Sequence, residues 1–529
     1  MNKAIFVTIE FCIALSGVGR PAQARRIKRS AIRSVRIIKG DLRVWSRPSY
    51  HSHRKGVIAG GGRFPVLSIK SPRGGCSSRW YQIGQEAWVC SGWIAPSIEP
   101  PTRLDDMTWM RPMGPWVLNR NRRTLYYPNL RRLAHDNARR LRELAGFQVF
   151  GRVLFGNRAL LRVADHGWVA ETEVTRAPQT NLVGVDLVKG LGLPIVFALK
   201  EQVPIWTVRG TDLRPTKQSM AKYDVRRATG RTTIAGQCYY QLRSKQRRLL
   251  VACSDTTMAD RPPAPPVGLP KDEPWLDLDG KARILYARKG ARILRVMLVS
   301  LGNQTPGGLF RIREKRVAMT LYNRYAHHPY YLQKVPFVIF FWQGFALHAA
   351  YWHDGFGIQQ SHGCLNLSPL DARWVFSFIR PRLPPGFTAV YETKTHPGSV
   401  IRLRGLSRHI KTDVVQHLAG QARRAQRNAR RAARTSRGRI KPRRPGTATP
   451  PQESPGMSPP KKRNGVTGGS GRSGANGDRG ANGGRDANGG NGARRASSGH
   501  GSQRQAKPWL ASLPHRPERS RMVAQGTTP

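Results

Sequence analysis

Acidic side chains are scarce in this 529-residue chain: 30 Asp and Glu stand against 90 Lys and Arg, for a formal charge of +60. At ordinary salt such a protein adheres to polyanions, whether nucleic acid, anionic lipid or acidic cell-wall polymer, and charge alone does not choose among them. Long apolar runs are equally scarce. The one candidate, Ala4 to Val18, is too short for a membrane span. Preceded by Lys3 and followed by Ala22-Gln23-Ala24, it reads as a signal peptide over 1–24, with Glu10 as a blemish. Cys12 has no lipid-attachment pattern before it. The expectation is therefore a periplasmic or otherwise extracytoplasmic protein with no transmembrane segment after cleavage. Extended helical periodicity is also sparse. Short apolar runs among many Gly, Pro and Trp residues predict a mainly β, loop-rich body.

Cysteines number only six. Cys12 would leave with the signal. Cys76 and Cys90, and again Cys238 and Cys253, flank hairpin-like segments about fifteen residues long, a separation at which a disulfide adds about 3 kcal/mol. Reduced, buried thiols are the alternative. Cys364 is left unpaired, in Ser361-His362-Gly363-Cys364-Leu365-Asn366, with His348 upstream. A thiol of pKa about 8.5 is only slightly ionised at neutral pH, and a neighbouring imidazole can take its proton. Cys364 is accordingly the candidate nucleophile, and His348 the base that later protonates a leaving amine. Gly363 permits a tight turn, and the amides of Gly363 and Cys364 are candidate oxyanion donors, each worth about 3 kcal/mol.

Around them, Ser361 and His362 are given orienting roles and Asn366 a loop-fixing one. Tyr351, Trp352 and Phe356 are expected to form one wall of a groove, Asp354 to be a loop residue, and Phe337 to Trp342 a buried strand. One cysteine and two or three histidines, His353 included, lack a zinc ligand set. No metal or cofactor is expected.

The residues also carry resemblances. From 274 to 394 the chain resembles the L,D-transpeptidase catalytic domain of bacterial cell-wall enzymes. The substrate-side signature looks like Val299-Ser300-Leu301-Gly302, then Thr305-Pro306-Gly307-Gly308 with Phe310 and Ile312. The nucleophile motif is complete in Ser361 to Asn366, and the second motif histidine falls on His348. Leu301 and Ala349 depart from the family's usual small residues. The resemblance implies a β-sandwich, and a backbone carbonyl, that of Ala349, holding His348 in its working tautomer. It also implies peptidoglycan stem peptides as substrates: a cysteine thioester is passed to the side-chain amine of a second stem peptide. Water as acceptor would give an L,D-carboxypeptidase, and an amine on an envelope protein an attachment enzyme. A wall-binding scaffold with an idle thiol is the reading from another class.

Upstream, 30–100 resembles a bacterial SH3-like module through Trp80-Tyr81-Gln82-Ile83 and Trp88 to Ile94. Weaker echoes suggest a second over 105–180 and a third over 183–260. A stiff proline-rich linker occupies 261–273. From 395 to 529 the chain is expected to be a basic, low-complexity and mostly disordered tail, with helix formers between His409 and Arg434. Its arginines suit anionic envelope polymers. Nucleic acid is disfavoured, because the tail has no interleaved aromatic platform.

Overall fold

The structure, a computed structural model, describes residues 31–102 and 114–437, apart from 122, 142, 165–166, 210–211, 246, 324 and 326–327. The expected signal peptide and the tail beyond 437 lie outside the described residues. The chain is mainly β, as its short alternating runs predict.

Three small β modules come first. In the first, Ser34–Ile37 pairs antiparallel with Arg63–Pro65 and Ile94–Ser97, over a core of Val35, Val44, Ile58 and Val89. The second, from Trp116–Asn119 to Val174–Arg176, closes on Phe147, Leu161 and Val169. The third is a seven-stranded sheet between Ile195–Ala198 and Thr256–Ala259. Disulfides Cys76–Cys90 and Cys238–Cys253 join the pairs expected, in the first and third modules.

The segment from 274 to 404 is a sandwich. One layer runs, in order, Arg292–Leu298, Ile284–Lys289, Pro274–Asp279, Val400–Arg404 and Gly307–Arg311. The other holds Glu314–Asn323, Tyr330–Trp342, Phe345–Ala349, Leu365–Leu367 and Phe387–Tyr391. Leu276, Leu285, Met297, Phe310, Ile339, Leu347 and Leu365 meet between the layers, with Val375 and Phe376 of the helix Pro369–Phe378. That helix starts where Ser368 Oγ accepts the Asp371 amide and Pro369 fills the first turn, where no amide partner is needed.

Two boundaries differ from the sequence reading. The folded body does not stop at 394, because Val400–Arg404 is an interior strand with Val400, Ile401 and Leu403 buried. The sequence places it in the basic tail expected from 395 onward. The strand's arginines are paired: Arg402 and Arg404, with Arg288, surround the buried Asp277. Nor does the proline run stand free as a spacer. Arg288 and Arg402 donate to the carbonyls of Pro263 and Ala264, each at 2.8 Å, tying the run to the sandwich.

The upstream modules are likewise joined to it by strand pairing. Gly56 to Ile58 pairs with 387–390, Leu144 to Gly146 runs parallel to Tyr330–Leu332, and Val185 lies opposite Val296.

Candidate active site

His348 lies on Phe345–Ala349, which pairs in parallel with Leu365–Leu367 so that His348 is opposite Asn366. Alternation sends Leu347, Ala349, Leu365 and Leu367 into the sandwich core and leaves His348 and Asn366 on the other face. Cys364, immediately before the second strand, packs with Ala346, Tyr351 and Trp352 on that same face. The His348 and Trp352 ring centroids are 5.6 Å apart. Cys364 and His348 thus share one face of two adjacent strands, as diagonal neighbours in the pairing.

His348 is buried, and its Nδ1 lies 3.3 Å from the Ala349 carbonyl oxygen. With the proton on Nδ1 toward that acceptor, Nε2 keeps its lone pair. Burial pushes the imidazole down to about 4, against the smaller opposing effect of the carbonyl. Cys364 is a free, half-buried thiol. Burial raises its pKa, and an Ala346 N–H aimed at the sulfur partly offsets this. Both shifts favour the neutral pair over a thiolate–imidazolium pair.

The nucleophile turn is pinned from Ser300 to Thr305. Ser300 and Asn366 exchange backbone hydrogen bonds at 3.0 and 2.9 Å. Leu301–Gly302 pairs with Gln359–Ser361, and Thr305 Oγ1 donates to the Gly363 carbonyl at 2.9 Å. A Cβ on Gly302 would overlap the Ser361 carbonyl oxygen and the His362 carbonyl carbon and come within 2.5 Å of Gly363 N. Gly363 is constrained by packing: a Cβ there would lie 2.7 Å from the Phe345 ring.

The Gly363 N–H donates to Ser361 Oγ at 3.2 Å, so this candidate oxyanion donor is occupied by a neighbouring hydroxyl. The His362 ring is 5.5 Å from that of Tyr330, whose buried hydroxyl is pushed up to about 12 by burial and by nearby Cys364.

Asn366 Nδ2 lies 2.8 Å from His353 Nε2 and 3.3 Å from the Gln360 carbonyl. His353 Nδ1 accepts the Gly355 N–H at 3.2 Å. Among the described residues no group of three or more His, Cys, Asp or Glu converges as a metal site.

The expected aromatic wall needs correction. Tyr351 is buried, stacked on Trp116 at 5.0 Å, and its hydroxyl donates to the Gln333 carbonyl. Phe356 is buried among Ile195, Phe197 and Ala350, facing the third module. Tyr351 and Trp352 share the cluster that Cys364 packs against, whereas Phe356 does not. The upstream modules take the apolar faces that were read as a substrate wall, which sequence spacing cannot foresee. Gly302, Thr305, Ala346 and His353 are the site-shaping residues that sequence reading gave no role in holding the nucleophile. Gly302 carried one usable signal, a glycine inside an otherwise apolar strand end.

Residues 273–397 match the YkuD family, the L,D-transpeptidase catalytic domain. Among solved structures the chain is similar to three L,D-transpeptidases. For that of Xylanimonas cellulosilytica (residues 123–326), identity is 19%, coverage 27% of this chain and 64% of that one, and TM-score 0.20. For that of Mycobacterium smegmatis the figures are 15%, 49%, 99% and 0.21. For the catalytic domain from E. faecium they are 18%, 25%, 96% and 0.20. The chain spans less than two thirds of the Xylanimonas structure's own length. No curated protein matches it. The SH3-like likeness of the upstream modules is not confirmed by these comparisons. The match to the YkuD L,D-transpeptidase catalytic domain falls on the segment that carries the Cys364 turn and His348.

Proposed function

We propose that this chain is a peptidoglycan L,D-transpeptidase working through a thioester on Cys364. The observation that carries the reading is a free thiol on one face with a buried histidine whose Nδ1 is tied to the Ala349 carbonyl. As a donor stem peptide seats, His348 Nε2 takes the thiol proton. The sulfur adds to the carbonyl carbon of the diamino-acid residue that precedes the terminal D-residue. The tetrahedral oxyanion turns to the Cys364 amide, and to Gly363 once its N–H leaves Ser361 Oγ. Collapse breaks the C–N bond, and His348 returns the proton to the departing D-amino acid. The side-chain amine of a second stem peptide then attacks the thioester, loses its proton to His348, and releases thiol and cross-link. A resting neutral thiol suits this order, since it reacts little until a carbonyl is held against it.

Two disulfides support an extracytoplasmic, cell-wall-facing setting. Among the described residues no helix is long and apolar enough to cross a membrane. Excess arginine supports adhesion to anionic envelope polymers.

The test is mass spectrometry of the full chain with tetrapeptide stems. The expected result is an acyl adduct on Cys364, then a cross-linked product, both lost in Cys364→Ala. Tripeptide alone would mean hydrolysis instead of transfer, and an unmodified thiol would end the reading.

A further inference from the structure

The loop 350–358 leads from the strand of His348 toward the nucleophile turn, and the third upstream module holds it. The contact is the short connection between Asp212–Ala221 and Val225–Ile234, two strands that are not neighbours in their sheet. Tyr223 Oη lies 2.7 Å from the Asp354 carbonyl oxygen and 3.1 Å from its Oδ1, and it accepts the Phe356 N–H at 3.2 Å. Lys222 Nζ is 3.0 Å from Asp354 Oδ2 and also pairs with Glu201. Leu199 closes the far side, where a Cβ on Gly357 would come within 2.5 Å of its Cδ2.

Four further observations give the contact a purpose. Tyr223 has φ 68, a left-handed conformation that glycine or asparagine adopts more easily. A bulky aromatic kept in a strained backbone conformation implies that the side chain is needed there. The loop it grips feeds directly into the site: His353, next to Asp354, meets Asn366, two residues beyond Cys364. Ser300, whose backbone pairs with Asn366, donates from Oγ to the Gly355 carbonyl at 2.5 Å. Trp352, beside His353, lies against His348.

From this chain of contacts we infer that Tyr223, assisted by Lys222, is a positioning residue for acyl transfer. It acts through Asp354 to hold the 350–358 loop and, through His353 and Asn366, the Cys364 turn. The inference rests on the cysteine acyl-transfer reading above. On it the catalytic segment borrows part of its rigidity from a module that contributes no reacting group.

The experiment uses the full chain and three variants, Tyr223→Phe, Tyr223→Gly and Lys222→Met. Two readouts are followed: acylation of Cys364 by the tetrapeptide donor, and hydrogen exchange at the Phe356 amide. Tyr223→Phe should keep its Tm within a few degrees, lower kcat/KM for acylation about tenfold or more, and speed exchange at Phe356. Tyr223→Gly removes the left-handed conflict, so a residue needed only for the turn would leave it at least as stable and fully active. The inference expects it stable and slow. Lys222→Met, at the rim of the contact, should give a smaller loss in the same direction and serves if Tyr223 variants fail to fold. Folded variants with unchanged acylation and unchanged Phe356 exchange overturn the inference. If the wild type forms no adduct, the acyl-transfer reading fails by itself. The clamp is then judged on Phe356 exchange and on the rate of Cys364 alkylation by iodoacetamide, and no change in either sinks it.

Discussion

Gly302 shows how much of the site's geometry rests on a missing methyl group. The parallel pairing of Leu301–Gly302 with Gln359–Ser361 brings two backbones together directly before the nucleophile. Because the atoms a Cβ would meet are backbone, no side chain can swing aside to make room. Gly302→Ala must shift the Ser361-His362-Gly363 segment, and with it Cys364 and its amide. A displacement of this kind typically costs about a hundredfold in rate. The expected outcome is a folded protein whose acylation by the tetrapeptide donor falls by about that factor, read by stopped-time mass spectrometry. Wild-type acylation in the alanine variant would show that the turn can relax and that its register is not what sets the rate. The motif around Cys364 was plain in the sequence, because a histidine, glycine and cysteine in a row have few other uses. Most residues that brace the motif were not, since Tyr223 and His353 acquire their roles only from the partners the fold brings to them.

At the scale of elements, the strands were legible wherever burial alternates or a run is uniformly apolar, as in Pro274–Asp279 and Ile284–Lys289. Val400–Arg404 was not, because its arginines are satisfied by a single carboxylate, Asp277, whose position only the fold reveals. Lys315 hides a similar surprise. It lies on a strand of the second layer, yet its Nζ is buried and donates to the carbonyls of Phe376 and Ile379, at 2.5 and 2.9 Å, where the helix Pro369–Phe378 ends. A cation there meets the negative end of the helix and two carbonyls with no helical partner. Burial nevertheless pushes its pKa down to about 7. Below pH 7 the ammonium is charged in both native and unfolded chains. From pH 7 to 10 the unfolded chain binds a proton that the native state gives up, so this group makes stability rise with pH. A Lys315→Met variant should lose that rise. From pH 7 to 9.5 the wild-type urea midpoint should rise relative to that of the variant. Parallel curves would mean that Lys315 keeps its proton in the fold.

For the molecule as a whole, the family match ends at 397 while the sandwich does not. In sheet order Val400–Arg404 lies between Pro274–Asp279 and Gly307–Arg311, parallel to the first and antiparallel to the second. Just beyond it, Val414 and Leu418 cover Trp275 and Val400. A chain cut after 397 would leave Gly307–Arg311 without its ladder partners, Pro274–Asp279 paired on one side only, and Trp275 stripped of its cover. Val400, Ile401 and Leu403 alone account for about 5–9 kcal/mol of burial, comparable to the whole net stability of a typical domain. The prediction is that a chain ending at 397 fails to fold cooperatively, whereas one ending at 427 melts as the full chain does, both followed by circular dichroism with heating. If the shorter chain melted sharply at the longer one's temperature, the strand would be an accessory. The three upstream modules would then have to supply the stability attributed here to the segment beyond the motif. If it does not, the unit that must be kept together for acyl transfer is larger than its catalytic signature at both ends. One limit is set by the last strand of the sandwich and the other by the module that carries Tyr223.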